Sequence, residues 1–368
     1  MKRTEVPDVL VVGGGPAGMA AAIVASEYGA KVRIVDENAW LGGQLVKQTH
    51  KFFGSARHYA GSRGIDICAR LVKEAEERDV EVMLDSPVVG VFDGLVIVAE
   101  RQERLAAMRP GCTILATGAG ENAIAFPGWT LPGVMTAGAA QTFVNVHRIR
   151  IGHRAVVAGS GNVGLIVAYQ LEQVGINVAA IVEAMPSIGG WGVHAAKVRK
   201  LGIPILTGHT IAEARGTEHV ESVTIQRVDK AFRPVSGTEE ILEADIVCLA
   251  VGMNSRTRLA EMAGCTLMHV PALGGKVPVH SAGMETSIPG FFVAGDISGI
   301  EEASTAIEEG RLAGLSAART LEAVSGVEYE ERRSAYIEAL AELRSGPFGL
   351  ARREAKEEVV KSHERRYA

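Results

Sequence analysis

Val9-Leu10-Val11-Val12-Gly13-Gly14-Gly15-Pro16-Ala17-Gly18 is the stretch that decides the fold. An apolar run that stops at G-x-G-x-x-G describes a buried strand turning tightly into a helix, here Pro16 to Tyr28. A second apolar strand, Val32 to Val35, ends at Asp36 with Glu37 beside it, which completes a βαβ unit. In such a unit Gly13 permits the turn, Gly15 lets the backbone approach a pyrophosphate, and Gly18 lets helix and strand pack closely. The helix start, Pro16 and Ala17 included, offers free N–H groups and about half a positive charge to phosphates. Asp36 can accept ribose hydroxyls. The unit is therefore expected to bind a dinucleotide.

The same plan returns later in the chain. Ala155 to Ala158 leads into Gly159-Ser160-Gly161-Asn162-Val163-Gly164, a helix to Gln173, and a strand Val178 to Val182 that ends at Glu183. Strand-like runs follow at Ile203 to Thr207, at Val220 to Val228, and at Ile246 to Val251, which stops at Gly252. A Gly-Gly pair follows the acid both times, Gly42-Gly43 and Gly189-Gly190. Duplication of an ancestral unit explains the symmetry. Two dinucleotides in one chain suit transfer of a hydride or electron pair between a flavin and a second carrier.

Composition narrows the alternatives. With 368 residues the chain has room for two ordinary domains, and 47% hydrophobic residues with 43 glycines fit an α/β protein rich in tight turns. A formal net charge of -5 argues against nucleic-acid binding or a polybasic membrane contact. Glycines interrupt the apolar stretch 9 to 25, so it reads as strand, turn and helix and not as a signal peptide. No stretch approaches the roughly 20 apolar residues of a membrane span, and the expected location is cytoplasmic. The 4 cysteines, Cys68, Cys112, Cys248 and Cys265, stand singly, without the short spacing that iron–sulfur clusters, structural zinc or redox disulfides use. The 10 histidines are likewise scattered, so no metal site is expected.

The remaining segments give an expected organisation. Residues 62 to 79 read as an amphipathic helix with Ile65, Ala69, Leu71, Val72 and Ala75 on its apolar face. Short strands at 80–84, 88–92 and 95–100, with a turn at Asp93-Gly94, precede the apolar strand ending in Ala116-Thr117-Gly118. Phe291-Phe292-Val293-Ala294-Gly295-Asp296 is another strand stopping at a turn, with a helix from about 301 to 324 behind it. This yields an α/β fold with two Rossmann-like domains. The first is discontinuous, 1–122 with 281–325; residues 123–150, with Pro127-Gly128 and Pro132-Gly133, connect it to the second, 151–280. A charge-rich helical tail, 326–368, broken at Gly346-Pro347-Phe348-Gly349, reads equally as a solvated tail or a docking segment.

Taken together, the first glycine motif, Asp36, Ala116-Thr117-Gly118 and Gly295-Asp296 resemble the two-dinucleotide-domain flavoproteins, the glutathione- and thioredoxin-reductase-like enzymes. The resemblance covers about residues 7 to 325. It implies FAD in the first domain, with Asp296 at the ribityl and pyrophosphate region and Thr305-Ala306 facing the flavin pyrimidine. Gly43-Gln44 resembles a segment those enzymes place beside the flavin. However, the C-x-x-C they carry between the Ala-Thr-Gly strand and the second glycine motif is absent. The run Phe126 to Gln141, with Glu309-Gly310-Arg311-Leu312-Ala313-Gly314, instead resembles the FAD-binding subunit of heteromeric amine and amino-acid dehydrogenases. That group includes opine oxidase, hydrogen cyanide synthase, dye-linked proline and hydroxyproline dehydrogenases and the α subunit of heteromeric sarcosine oxidase. The resemblance implies a second flavoprotein as partner. Several members carry a cysteine-rich iron–sulfur module, and with no cysteine after Cys265 here such a cluster is expected on a separate polypeptide.

In the second domain Glu183 favours a free ribose 2′-OH and repels a 2′-phosphate, and no Arg or Lys follows before Lys197, so NAD(H) is expected over NADP(H). An adenine nucleotide held for structure alone is the competing reading. No acid/base constellation declares itself; His50 and Lys51, in the loop after Gln44, are the candidates for tuning a flavin, against a reading as plain loop residues. The expected function is an FAD-dependent oxidoreductase subunit that exchanges electrons with NAD(H) or partner-bound carriers. A stand-alone NADH-dependent flavin or ferredoxin reductase, and a catalytically silent nucleotide-binding scaffold, are the alternatives.

Overall fold

The computed structural model describes residues 6–100, 104–346 and 349–367. The chain divides into two compact units, Met1–Gly120 with Asn254–Ala368, and Glu121–Met253.

The first unit is built on a five-stranded parallel sheet in the order Phe291–Val293, Cys112–Leu115, Val9–Val12, Val32–Val35, Glu81–Met83. Every residue of the first four of these strands is buried, Arg33 and Thr113 included, which is why they read as mostly apolar runs: a parallel sheet is covered on both faces. The helix Pro16–Glu27 is buried from Ala17 to Ala25 and packs against Ala303–Thr320, the helix behind the last strand. A smaller antiparallel sheet, Val88–Phe92, Leu95–Glu100 and Arg104–Met108, is attached. Its hairpin turn falls at Asp93-Gly94, both with positive φ (47° and 75°), as a two-residue turn matched to strand twist requires. The third strand, Arg104–Met108, carries no clear sequence signal. The helix expected over 62–79 spans Gly64–Glu76; it buries Ile67, Cys68, Leu71 and Ala75, whereas Ala69 is exposed.

The second unit repeats the architecture with the order Ile205–Thr207, Asn177–Glu183, Arg154–Ala158, Ile246–Leu249, Val134–Thr136, again all parallel. An antiparallel sheet, His209–Arg215, Ser222–Arg227 and Glu240–Glu243, accompanies it. The fifth strand differs in origin between the units. In the first it comes late in the chain, and in the second it precedes the glycine motif.

Two boundaries differ from the sequence expectation, and the tail takes the docked one of its two readings. Residues 123–150 are not a bare connection, because Val134–Thr136 is an edge strand and Ala137 and Ala140 enter the second core. The second unit ends at Met253 and not at 280: Ala260 and Cys265 are packed into the first core. The tail docks on the first unit. Tyr336 and Leu340, from the helix Gly326–Leu343, join that unit's core, and Val359, from the helix Leu350–Tyr367, packs with Leu273 and Val277. Pro347 and Phe348, in the break between these helices, lie outside the described residues.

Candidate dinucleotide sites and their support

Each glycine loop is held by the same set of contacts. In the first unit Gly13 has φ +104°, and a Cβ there would lie 2.4 Å from the Ala116 carbonyl oxygen; a Cβ on Gly18 would meet the Gly13 oxygen at 1.8 Å. In the second, Gly159 has φ +102° and the matching distances are 2.2 Å to the Ala250 oxygen and 2.0 Å from Gly164 to the Gly159 oxygen. These glycines are fixed by the protein's own packing. The middle ones are not: the nearest neighbour of a Cβ on Gly15 is Gly43 Cα at 3.9 Å, and nothing lies within 4 Å at Gly161. The backbone is thus bare at the two points where a pyrophosphate would approach.

The acids tie back to these loops. Gly14 N–H donates to Asp36 Oδ2 at 2.6 Å, and Ser160 N–H donates to Glu183 Oε2 at 2.8 Å. The other oxygen of each acid accepts a backbone N–H from two residues on, Asn38 at 2.8 Å and Met185 at 2.8 Å. One glycine of each Gly-Gly pair, the first of one and the second of the other, makes the matching bond: Gly42 N–H donates to Gly14 O and Gly190 N–H to Ser160 O, both at 2.8 Å. Both helices that follow, Pro16–Glu27 and Asn162–Gln173, begin without a capping side chain or an acid in the first turn. Their leading N–H groups remain for a ligand. Val163 lies in the first turn of the second helix. Lys197 is placed over the Tyr169 ring, 5.8 Å from its centroid.

Other expected site residues gather round the first loop. Ala116 N–H donates to Val12 O, and Thr117 Oγ1 donates to Arg256 O, whose N–H returns to Gly118 O. Gly43 opens a short 3-10 helix beside Gly15; Gln44, its next residue, is exposed. Gly295, with φ +76°, sits so close to the start of the first helix that a Cβ would lie 2.9 Å from Ala17 Cβ, which brings Asp296 to that helix end. Burial pushes the Asp296 carboxyl up to about 7, against the hydrogen bond from the Glu301 backbone N–H and the charge of Lys356, with the Glu309 charge helping to raise it. Thr305 and Ala306 are buried in the first turn of Ala303–Thr320, a helix that also starts without a side-chain cap. In the second unit Gly252 O accepts from Asn122 N–H. Glu37 is an exposed partner of Arg256 at 2.9 Å. His50 stacks on Phe52, with centroids 6.1 Å apart, and Lys51 is exposed with its backbone bridged to Arg63.

The first unit accommodates FAD on its own observations. It offers the bare Gly15 backbone, an uncapped helix start and an acid at the strand end. Among the described residues it also leaves Gln48 Oε1, His58 Nε2 and Glu308 Oε2 buried without protein partners, in the loop after Gln44 and on the Ala303–Thr320 helix. Buried polar atoms of this kind are normally satisfied by water or ligand. None of the described residues form a group able to hold a metal ion, and no described helix is long and apolar enough to cross a membrane.

Sequence reading missed the buried charge beneath the Gly295-Asp296 turn. Glu309 Oε1 accepts from Lys356 Nζ at 2.7 Å and from Arg344 at 2.5 Å, while Glu309 Oε2 accepts the Gly295 N–H at 3.0 Å. Burial alone would raise the Glu309 carboxyl; Lys356 and Arg344 outweigh it and hold the group low. His280 faces the same charges. Burial, then Lys356 and Arg344, push its imidazole down to about 4, against a smaller opposing pull from its backbone hydrogen bond and from Glu309. A folded-state pKa below the ordinary 6.5 means that stability is complete above pH 6.5 and is lost as the pH falls toward 4. The raised Asp296 carboxyl gains stability over the same fall in pH, so the His280 share is read as a difference: unfolding free energies across that window should show wild type losing on the order of 3 kcal/mol relative to His280→Gln.

The four cysteines are free and buried. Burial raises every thiol, Cys112 and Cys248 to about 12, so none is poised as a thiolate nucleophile.

Residues 7–310 match the model of the pyridine nucleotide-disulphide oxidoreductase family. The chain is 30% identical to the HcnB subunit of hydrogen cyanide synthase from Pseudomonas aeruginosa, over 95% of its own length and 79% of that protein's. It is 31% identical to an opine oxidase subunit from Agrobacterium tumefaciens, over 86% of this chain and 66% of the relative. The fold is that of T. acidophilum thioredoxin reductase, with a TM-score of 0.70 at 21% identity, covering 87% of this chain and 99% of that structure. With the paired loops, bare crests and acids already in place, the chain belongs to the pyridine nucleotide-disulphide oxidoreductase family, in the branch that holds HcnB and its opine oxidase counterpart, and is an FAD-dependent oxidoreductase.

Proposed function

We propose that the first unit binds FAD and the second NAD(H), and that the chain passes electrons between its flavin and either NAD(H) or carriers on partner subunits of an amine or amino-acid dehydrogenase. The observation that carries this reading is the matched pair of loops, each with a bare middle glycine and a carboxylate fixed to the loop backbone. Bound FAD supplies the two-electron chemistry; the protein supplies binding, orientation and electrostatics. Gly13 to Gly18 and the helix start at Pro16 take the pyrophosphate. Asp36 has a lone pair for adenosine ribose beyond those used by Gly14 and Asn38, because an ionised carboxylate offers about four acceptor sites. Asp296 and the Thr305-Ala306 turn serve the flavin end. Gly159 to Gly164 and Glu183 do the same for the nicotinamide nucleotide.

Without a paired thiol, reducing equivalents do not pass to a disulfide of this chain; the proposed destinations are a nucleotide or another protein. HcnB and the opine oxidase relative are both subunits of larger enzymes by name, which supports an assembly with partner subunits; the partners proposed are a second flavoprotein and an iron–sulfur protein on a separate chain. Native purification, followed by identification of the associated chains and cofactors, tests this. Recovery of a fully active single chain would refute it.

The carboxylate at 183 supplies the nucleotide choice. A ribose 2′-OH can donate to it, whereas a 2′-phosphate meets like charge. Glu183→Arg should therefore lower kcat/KM for NADH by about tenfold or more and raise it for NADPH, the loss of one charged hydrogen bond being worth roughly 1.5–3 kcal/mol. Steady-state kinetics with both nucleotides check it. Unchanged preference would mean that the second site is not a working NADH site.

A further inference from the structure

We propose that the C-terminal helices are a positioning clamp for the Gly295-Asp296 turn, with Lys356 and Arg344 acting through Glu309, so that docking of the tail and binding of FAD at that turn are coupled. The inference rests on the reading that FAD occupies the first unit.

The contacts form one unbroken chain of charge-assisted hydrogen bonds. Lys356 Nζ donates to Glu309 Oε1 at 2.7 Å and to Ser298 Oγ at 2.6 Å, and lies 3.8 Å from Glu301 Oε1. Arg344, just past the helix Gly326–Leu343, donates to both oxygens of Glu301, at 2.7 Å and 3.0 Å, and also to Glu309 Oε1. Glu309 Oε2 then accepts the Gly295 N–H at 3.0 Å and stands 2.7 Å from Ser298 Oγ. One carboxylate thus joins the tail, by one oxygen, to the backbone of the turn, by the other.

The burial of these groups makes the coupling strong. The side chains of Lys356 and Glu309 are 5% and 2% exposed, and those of Arg344 and Glu301 are 12% and 5% exposed. Two cations and two anions balance, and removal of one partner leaves a buried charge without its counter-charge. Helical geometry puts Lys356 one turn from Val359, whose burial against Leu273 and Val277 seats that face on the unit. Gly295 in turn touches Ala17 at the start of the first helix. Without Lys356, Glu309 and Glu301 would share Arg344 alone, leaving one negative charge in excess beside Asp296, itself a buried carboxyl, and the turn would move or take up a proton. A ligand seated on the turn and the tail seated beneath it therefore favour each other, and linkage makes the effect reciprocal.

The test measures FAD binding and tail protection on the full chain. FAD removed from the wild-type protein and titrated back, followed by flavin fluorescence, gives a dissociation constant to compare with those of Lys356→Met, Arg344→Met and Lys356→Arg. The clamp requires the two Met variants to bind FAD about tenfold or more weakly, in the usual range of coupling free energies. Lys356→Arg, which keeps the charge, should recover most of the affinity. Limited proteolysis of the wild-type protein should cut within 344–367 faster without FAD than with it, an arm that stands even where a Met variant fails to fold. Equal FAD affinity in the folded Met variants, or tail cleavage indifferent to FAD in the wild type, overturns the clamp. Failure of wild type to bind FAD at all would instead overturn the FAD reading and the clamp with it.

Discussion

Gly310→Val should destabilise the first unit by about 2–3 kcal/mol, because it overpacks a contact between two backbones. Gly310 and Gly314 lie one turn apart on Ala303–Thr320, against the alanine-rich helix Pro16–Glu27. A Cβ at 310 would come within 2.1 Å of the Ala17 carbonyl oxygen, and one at 314 within 2.2 Å of the Ala21 oxygen. Two effects oppose each other. Replacing a helical glycine ordinarily gains up to about 1 kcal/mol from restricted unfolded-chain freedom. Here the clash is with main-chain atoms of a buried helix, which cannot rotate away, so strain wins. Ala17 belongs to the glycine loop's own helix, and its displacement should also weaken FAD retention. Denaturant unfolding followed by circular dichroism measures the first effect and flavin release the second. A variant as stable as wild type would show that the helix pair can separate freely.

The largest functional effects are expected at Gly15 and Gly161, where structure and function separate. A Cβ at 15 meets only Gly43 nearby, and a Cβ at 161 meets nothing within 4 Å. Both backbones are extended, with φ -74° at Gly15 and -64° at Gly161, so a side chain costs no backbone strain. Loss of glycine at the N-cap costs up to about 1 kcal/mol. The fold should therefore survive, while the branched side chain fills the place of a pyrophosphate. Gly15→Leu should purify with FAD affinity reduced at least about a hundredfold, which corresponds to roughly 2.8 kcal/mol of lost binding. Gly161→Leu should keep its flavin. Absorbance of the purified proteins, with thermal melts as the control on folding, gives the comparison.

How far the sequence carries differs from feature to feature. The glycine loops, their acids and the paired Gly-Gly segments were legible because each follows from local geometry: a turn of positive φ, a strand end, a helix start. The buried parallel strands were legible for the same reason, since coverage on both faces leaves a mostly apolar run. The edge strand Val134–Thr136 was hidden. It is short, and its partner Ile246–Leu249 lies far along the chain. The return to the first unit at Asn254 was missed because no composition change marks it, and only the packing of Ala260 and Cys265 shows it. In the tail, Lys356 sits in a run of Arg, Glu and Lys that favours a solvated helix as much as a docked one. Its burial depends on Glu309 and Ser298, elements that sequence spacing does not connect to it. Ala69 was placed on the wrong face of its helix because alanine is apolar enough to suit either side.

The most direct test of two working dinucleotide sites is anaerobic addition of NADH to the FAD-loaded wild type and to Gly161→Leu, with the flavin's visible absorbance recorded over time. Two working sites require rapid bleaching in the wild type and little in the variant, which still holds its FAD. Equal bleaching in both, or none in the wild type, would contradict them.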